Sequence, residues 1–382
     1  MFIINGIVYA ETGKIENGYL QIEGNKIIGY GAMSELPTTK EAEVIDANGQ
    51  LIVPGFVDQH IHGAAGVDTM DASIEGLTRF AQTLPKEGTT TFLATTMTQS
   101  IAAIDAALAA TRTFIESHNQ PGQAQIAGIH LEGPFINCAY KGAQPEEYII
   151  NPSIEMMQHF IDVAGPGNIK LVTYAPEVAE AGFVEFLVAN NIVPSVGHSS
   201  ATFAEVEKDF DNGLTNITHF HNASSGHHHR TPGVVTAGFG LDLTVEIICD
   251  GVHLHPDVVK TVKKVKGSDK IVLVTDSMSA KGLEDGDYSL GGQKVIKVGN
   301  EARLEDGTLA GSVAEMNSCA CNMKNFTGAT VEEVIAMTAS NAARSLGMDT
   351  KGTLAIGKDA DVVIMTPEYQ IEATICQGVL AK

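Results

Sequence analysis

The feature that most constrains the fold of this chain is a regular alternation of short apolar runs with amphipathic helical stretches, beginning after the first fifty residues. Eight strand candidates stand in order: Leu51–Val57, Thr89–Ala94, Ile126–Leu131, Ile169–Tyr174, Ile192–Val196, Asn216–Phe220, Val245–Cys249 and Ile271–Val274. Helical patterns separate most of them, among them Ile101–Ser117, Pro152–Ala164, Ala179–Asn190, Thr202–Asp211 and Pro256–Val265. Strands buried on both faces read as continuous apolar runs, and strands alternating with helices build parallel sheets. Eight such units predict an α/β fold, a (β/α)8 TIM-like barrel. A doubly wound sheet fits less well, because no G-x-G-x-x-G follows any of these runs. With 382 residues, 44% of them apolar, the chain has room for one barrel and a small accessory domain.

The accessory domain is expected from the two ends. Phe2-Ile3-Ile4, Gly6–Tyr9, Tyr19–Ile22 and Lys26–Tyr30 alternate with turns, and Val362–Met365 and Ile371–Ile375 have the same texture. Chain termini commonly lie close together. The reading is therefore a small β-sandwich domain assembled from residues 1–50 and 351–382, with the barrel over 51–350 between its parts.

A parallel barrel brings the C-terminal ends of all its strands to one mouth. The residues standing at those ends carry the chemistry: His60 and His62, Glu132, His198, His219, Asp250 and His253, and Asp276. In an extended strand, residues two apart share a face, so His60 and His62 present adjacent imidazoles. A single histidine past a strand is ordinary; their recurrence at strand after strand points to a metal centre. Imidazole and carboxylate ligands without thiolate suit zinc, with iron or another divalent transition metal as alternatives. The formal charge of −22, from 46 acidic against 24 basic residues, opposes nucleic acid and anionic membranes. A small anionic substrate would need a local cluster of positive charge. Five scattered cysteines without a C-x-x-C pair read as reduced thiols, and the opening residues predict neither signal peptide nor membrane span, so a cytoplasmic location is expected.

Beyond the barrel, a set of local motifs runs the length of the chain: PGFVDQHIHG at 54–63, HLEGPF at 130–135, KGAQ at 141–144, VGHSSA at 196–201, THFHNA at 218–223, HHRTPG at 228–233, DGVH at 250–253, LVTDSM at 273–278 and GTLAGS at 307–312. In these the chain resembles the N-acetylglucosamine-6-phosphate deacetylases of the amidohydrolase superfamily. The resemblance implies hydrolysis of the acetamide of N-acetyl-D-glucosamine 6-phosphate, in amino-sugar catabolism and cell-wall sugar recycling. It implies that Glu132, His198 and His219 hold the main ion and His60 and His62 a second, giving one or two ions per subunit. Asn222 and the backbone of Ala223 would meet the phosphate, Arg230 would add its guanidinium, and His253 would contact the sugar. Gln144 stands where some relatives carry a histidine that orients the acetyl carbonyl. Asp276 would accept a proton from the attacking water and return it to the sugar nitrogen. The resemblance also implies a homodimer in which Arg230 completes the neighbouring subunit's site. The run His227-His228-His229 reads as exposed loop histidines.

Overall fold

Eight parallel strands close around a common axis in the computed structural model, which describes residues 1–38 and 42–382. In hydrogen-bonded order they are Phe56–Ile61, Thr89–Thr95, Gln125–Glu132, Ile169–Tyr174, Val193–Val196, Asn216–Ile217, Thr244–Ile248 and Ile271–Val274, each parallel to the next. The TIM-like barrel is thus the observed architecture. The eighth strand meets the first just beyond its end, where Asp276 N–H donates to His60 O at 2.8 Å and His62 N–H to Ser277 O at 2.9 Å. Closure and site share the same residues.

The helices between strands begin where the sequence supplies caps. Ser100 accepts from the Ala103 amide ahead of Ile101–Ser117, and Thr202 and Glu205 form a capping box on Phe203–Asp211. Their apolar faces pack on the strands in one large core that includes Phe135, Phe160, Tyr174, Phe183 and Phe220.

The expected strand Leu51–Val57 is in fact two strands. Leu51–Pro54 pairs with Phe2–Ala10 in parallel and with Val362–Met365 antiparallel, in an eight-stranded sheet drawn from both ends of the chain. Phe56–Ile61 then opens the barrel. Gly55 is the joint: a Cβ there would come within 2.2 Å of Thr90 Oγ1, so only glycine lets the chain pass from one sheet to the other. Period-two alternation serves both layers. Leu51, Val53, Val363 and Met365 belong to the barrel core, while Ile52, Val362 and Ile364 face a second core with Ile3, Val8, Leu20 and Ile375.

Two helical expectations shorten at their starts, to Ile154–Ala164 and Phe183–Ala189. The sixth strand ends at Ile217, and Phe220 lies in the turn beyond it. One element was absent from the sequence reading altogether. After the eighth strand, Gly286–Leu290, Gln293–Val298 and Glu301–Leu304 form an antiparallel three-stranded sheet that folds back over the barrel mouth.

Candidate active site

Glu132 is the centre of the mouth. It ends the third strand, and its carboxylate faces four imidazoles: Oε1 lies 3.5 Å from His60 Nε2, 3.3 Å from His198 Nε2 and 3.1 Å from His219 Nε2, while Oε2 lies 3.1 Å from His62 Nε2. Asp276 stands on the other side, with Oδ1 at 3.4 Å from His60 Nε2 and 3.3 Å from His62 Nε2. Two groups of possible ligand atoms result, Glu132–His198–His219 and His60–His62–Asp276. All of these side chains are buried.

The backbone turns sharply to bring them there. His198, His219 and Asp276 have φ of 47°, 28° and 48°, and Ala223 one of 44°. For residues carrying a Cβ the left-handed region costs on the order of 1–3 kcal/mol each, and such strain concentrates at working sites.

Hydrogen bonds on the far ring nitrogens set the tautomers. His198 Nδ1 lies 2.9 Å from the Tyr140 carbonyl, and His60 Nδ1 lies 2.9 Å from Glu246 Oε2. An acceptor at Nδ1 requires the proton there, which leaves Nε2 as a lone pair aimed at the centre. His198 Nε2 and His219 Nε2 stand 3.0 Å apart, and His60 Nε2 is buried without a hydrogen-bond partner. Lone pairs and carboxylate oxygens converging on one another need a cation between them, and the nitrogen and oxygen donor set suits a divalent metal. The local field says the same. Burial alone would lower the His60 imidazole, yet Asp276, Glu132 and Glu246 outweigh it and hold it well above its ordinary value. His62 is likewise carried to about 10, its burial overcome by Asp276 and Glu132. Burial would raise the Asp276 carboxyl, but His60 and His62 bring it down to about 2, so it is ionised.

Glu246 was not singled out from the sequence. It is fully buried within the seventh strand and accepts three bonds: from Gln59 Nε2 at 2.8 Å, from His60 Nδ1, and from the His219 amide at 3.0 Å. A charged residue inside the apolar run Val245–Cys249 was the available signal. His130 was missed too. Its ring meets His60 edge-on at 4.5 Å between centroids, and its Nε2 bonds Thr173 Oγ1 at 2.7 Å.

A cavity of about 520 Å3 opens above these groups, lined by His62, Glu132, Gln144, Asn222, Ala223 and Asp276, with His253 and residues of the inserted sheet on its walls. Gln144 donates from Nε2 to Glu132 Oε2 at 3.1 Å, and its Oε1 accepts from the Thr98 amide at 2.8 Å. Asn222 donates to the His219 carbonyl at 3.1 Å. His253 Nδ1 lies 2.7 Å from Asp250 Oδ2, so Asp250 is a partner of His253 and belongs to neither of the two ligand groups. Arg230 is the exception among the expected residues. It is exposed in its loop, with Nη1 2.7 Å from His229 Nε2, and it does not line the cavity of its own chain. The three histidines before it are exposed as well.

The amidohydrolase family matches residues 51–381. An N-acetylglucosamine-6-phosphate deacetylase of Bacillus subtilis (strain 168) is 41% identical over 380 residues, which is 98% of this chain and 95% of that protein. An N-acetylgalactosamine-6-phosphate deacetylase of Escherichia coli O157:H7 is 34% identical, over 97% of this chain and 96% of that protein. Among solved structures, the N-acetylglucosamine-6-phosphate deacetylase of Thermotoga maritima superposes with a TM-score of 0.89 at 36% identity, covering 100% of this chain and 99% of its own.

Proposed function

This chain belongs to the amidohydrolase family, and from that premise we propose that it hydrolyses the acetamide of N-acetyl-D-glucosamine 6-phosphate to D-glucosamine 6-phosphate and acetate. The observation that carries the reading is the two buried ligand groups, joined by Glu132, at the floor of a cavity walled by Asn222, Ala223 and His253. Glu132, His198 and His219 would hold a divalent ion, most naturally zinc, and His60 and His62 a second. When bound, such an ion activates water and polarises the acyl oxygen.

The remaining chemistry belongs to the chain's own residues. Asp276 Oδ1 is engaged by His60 and His62, which leaves Oδ2 to take the proton from the attacking water. As the new C–O bond forms and the C–N bond breaks, that proton passes to the sugar nitrogen. Gln144 steadies Glu132 and borders the acetyl end, His253 meets the sugar, and Asn222 with the Ala223 amide meets the phosphate. Because Arg230 lies outside the cavity of its own chain, the reading extends to a homodimer in which its guanidinium reaches the partner's phosphate. Among the described residues no helix is long and apolar enough to cross a membrane. A cytoplasmic location accords with a metabolic role in amino-sugar breakdown.

Acetate release from N-acetylglucosamine 6-phosphate, its galacto epimer and the unphosphorylated sugar tests the reading. The gluco phosphate should have the highest kcat/KM of the three. A clear preference for the galacto epimer, or no acetate from either phosphate, would overturn it.

A further inference from the structure

Among the described residues, Arg303 is the only lysine or arginine that lines the active-site cavity. It lies on the last strand of the inserted sheet, Glu301–Leu304, which with Leu290, Thr308 and Leu309 forms the outer wall of the cavity. The wall is seated on the barrel: Gln293 Nε2 donates to the Ala143 carbonyl, and Gln99 Nε2 to the Gly291 carbonyl at 3.4 Å. The guanidinium itself is oriented from two sides. Nε donates to Glu301 Oε2 at 2.7 Å and Nη1 to the Gly307 carbonyl at 2.7 Å. Among the described residues Nη2 has no hydrogen-bond partner, and the guanidinium is near enough for its charge to oppose protonation of the His253 imidazole.

The cavity around it is otherwise electronegative. Glu132 and Asp276 line its floor, Asp250 stands behind His253, and the whole chain carries −22. Above the metal ligands, the one lysine or arginine that a dianion meets among the described residues lining this cavity is Arg303, paired with Glu301 at 2.7 Å, and Arg230 of the same chain is not among them. A guanidinium held by two bonds, with donors to spare, is suited to a tetrahedral oxyanion. We infer that Arg303, supplied by the same chain, is a specificity residue that binds the phosphate of the substrate from the cavity's outer wall. The inference rests on the proposed sugar-phosphate reading and adds to it a second cation, distinct from Arg230.

The test compares wild type with Arg303→Gln and Arg303→Ala. Glutamine removes the charge while keeping an N–H near the place of Nε for Glu301 Oε2, so it guards against a loss that is only structural. For each protein, kcat/KM is measured on N-acetylglucosamine 6-phosphate and on unphosphorylated N-acetylglucosamine. A charge-assisted hydrogen bond is worth roughly tenfold or more in affinity, so the ratio of the two values should fall about tenfold or more in both variants, mainly through KM. Inorganic phosphate, as a competitive inhibitor, should weaken by a similar factor. A ratio unchanged within twofold, or equal losses on both sugars, would overturn the inference while leaving the deacetylase reading intact. Should wild type release acetate from neither sugar, that reading fails separately. Calorimetric binding of inorganic phosphate to wild type and Arg303→Gln then decides the inference: weaker binding to the variant supports it, and equal binding refutes it.

Discussion

Glu246→Gln offers a clean separation of charge from shape at the metal site. The wild-type carboxylate uses Oε2 for two donors, His60 Nδ1 at 2.9 Å and the His219 amide at 3.0 Å, and Oε1 for Gln59 Nε2 at 2.8 Å. Glutamine can keep its oxygen at the Oε2 position and turn its NH2 toward Gln59. Gln59 can answer by rotating its own amide, so that its Oε1 accepts from the new NH2 while its own NH2 takes the buried place that Oε1 held without a partner. The two ligand histidines keep their acceptor, and what they lose is the charge behind their two hydrogen bonds. Charge-assisted bonds contribute roughly 1.5–3 kcal/mol against about 1 for neutral ones, so for the two bonds the expected loss is about 1–4 kcal/mol, or roughly 5- to 1,000-fold in metal retention. That range overlaps the roughly 10–100-fold measured when outer partners of metal ligands are replaced. Chelator competition on the metal-loaded protein reads it directly. Glu246→Ala should fare worse, since it leaves three buried donors without an acceptor, at about 1–3 kcal/mol each. If Glu246→Gln holds metal within twofold of wild type, the carboxylate's charge contributes nothing to the ligand histidines and the argument fails.

Asp276→Asn should bind metal and substrate nearly as well as wild type while turnover falls by orders of magnitude, because an amide cannot accept the water's proton; turnover near wild type would refute that role. For Arg230, Asp276→Asn and Arg230→Ala subunits can be refolded together. A guanidinium acting across the interface gives each hybrid one intact site and restored acetate release, whereas hybrids no more active than their parents would place it in its own chain's site. The Asp250–His253 pair predicts a pH-dependent stability. Burial raises the Asp250 carboxyl but its bonds from His253 outweigh that and lower it, and burial lowers His253 but Asp250 outweighs that and raises it. Asp250 therefore contributes above its ordinary 3.8 and loses the contribution as pH falls through its lowered folded value; His253 contributes below its ordinary 6.5 and loses it as pH rises through its raised one. The drop in Tm caused by Asp250→Asn should be largest between those two pH values and shrink on either side, and a drop independent of pH would refute the pairing.

Much of this architecture is legible in the sequence. Strand ends carry the site in a barrel, so His60, His62, Glu132, His198, His219 and Asp276 could be placed around one mouth from strand order alone. The boundary at Gly55 was not legible, because Leu51–Val57 is apolar throughout and its division between two sheets depends on Thr90 packing beneath the glycine. Glu246 escaped because its role is set by neighbours from the first strand and from the turn after the sixth, far away in sequence. Arg303 escaped for a related reason: the strand Glu301–Leu304 is short and its position over the mouth comes from contacts such as Gln293 with Ala143, which no local pattern encodes. The location of Arg230 relative to its own cavity likewise depends on loop geometry that spacing does not set.

The sheet shared by the two chain ends has a consequence for biosynthesis. Leu51–Pro54 emerges from the ribosome early, with Phe2–Ala10 available on one side, but its other neighbour, Val362–Met365, is made only after the entire barrel. At about 5–20 residues per second that wait is on the order of tens of seconds. Throughout it, a wholly apolar strand presents an open hydrogen-bonding edge, the kind of surface that recruits other strands. The nascent chain is thus most exposed to misassociation beside the strand that carries His60, and arrival of Val362–Met365 both seals the edge and fixes that strand in place.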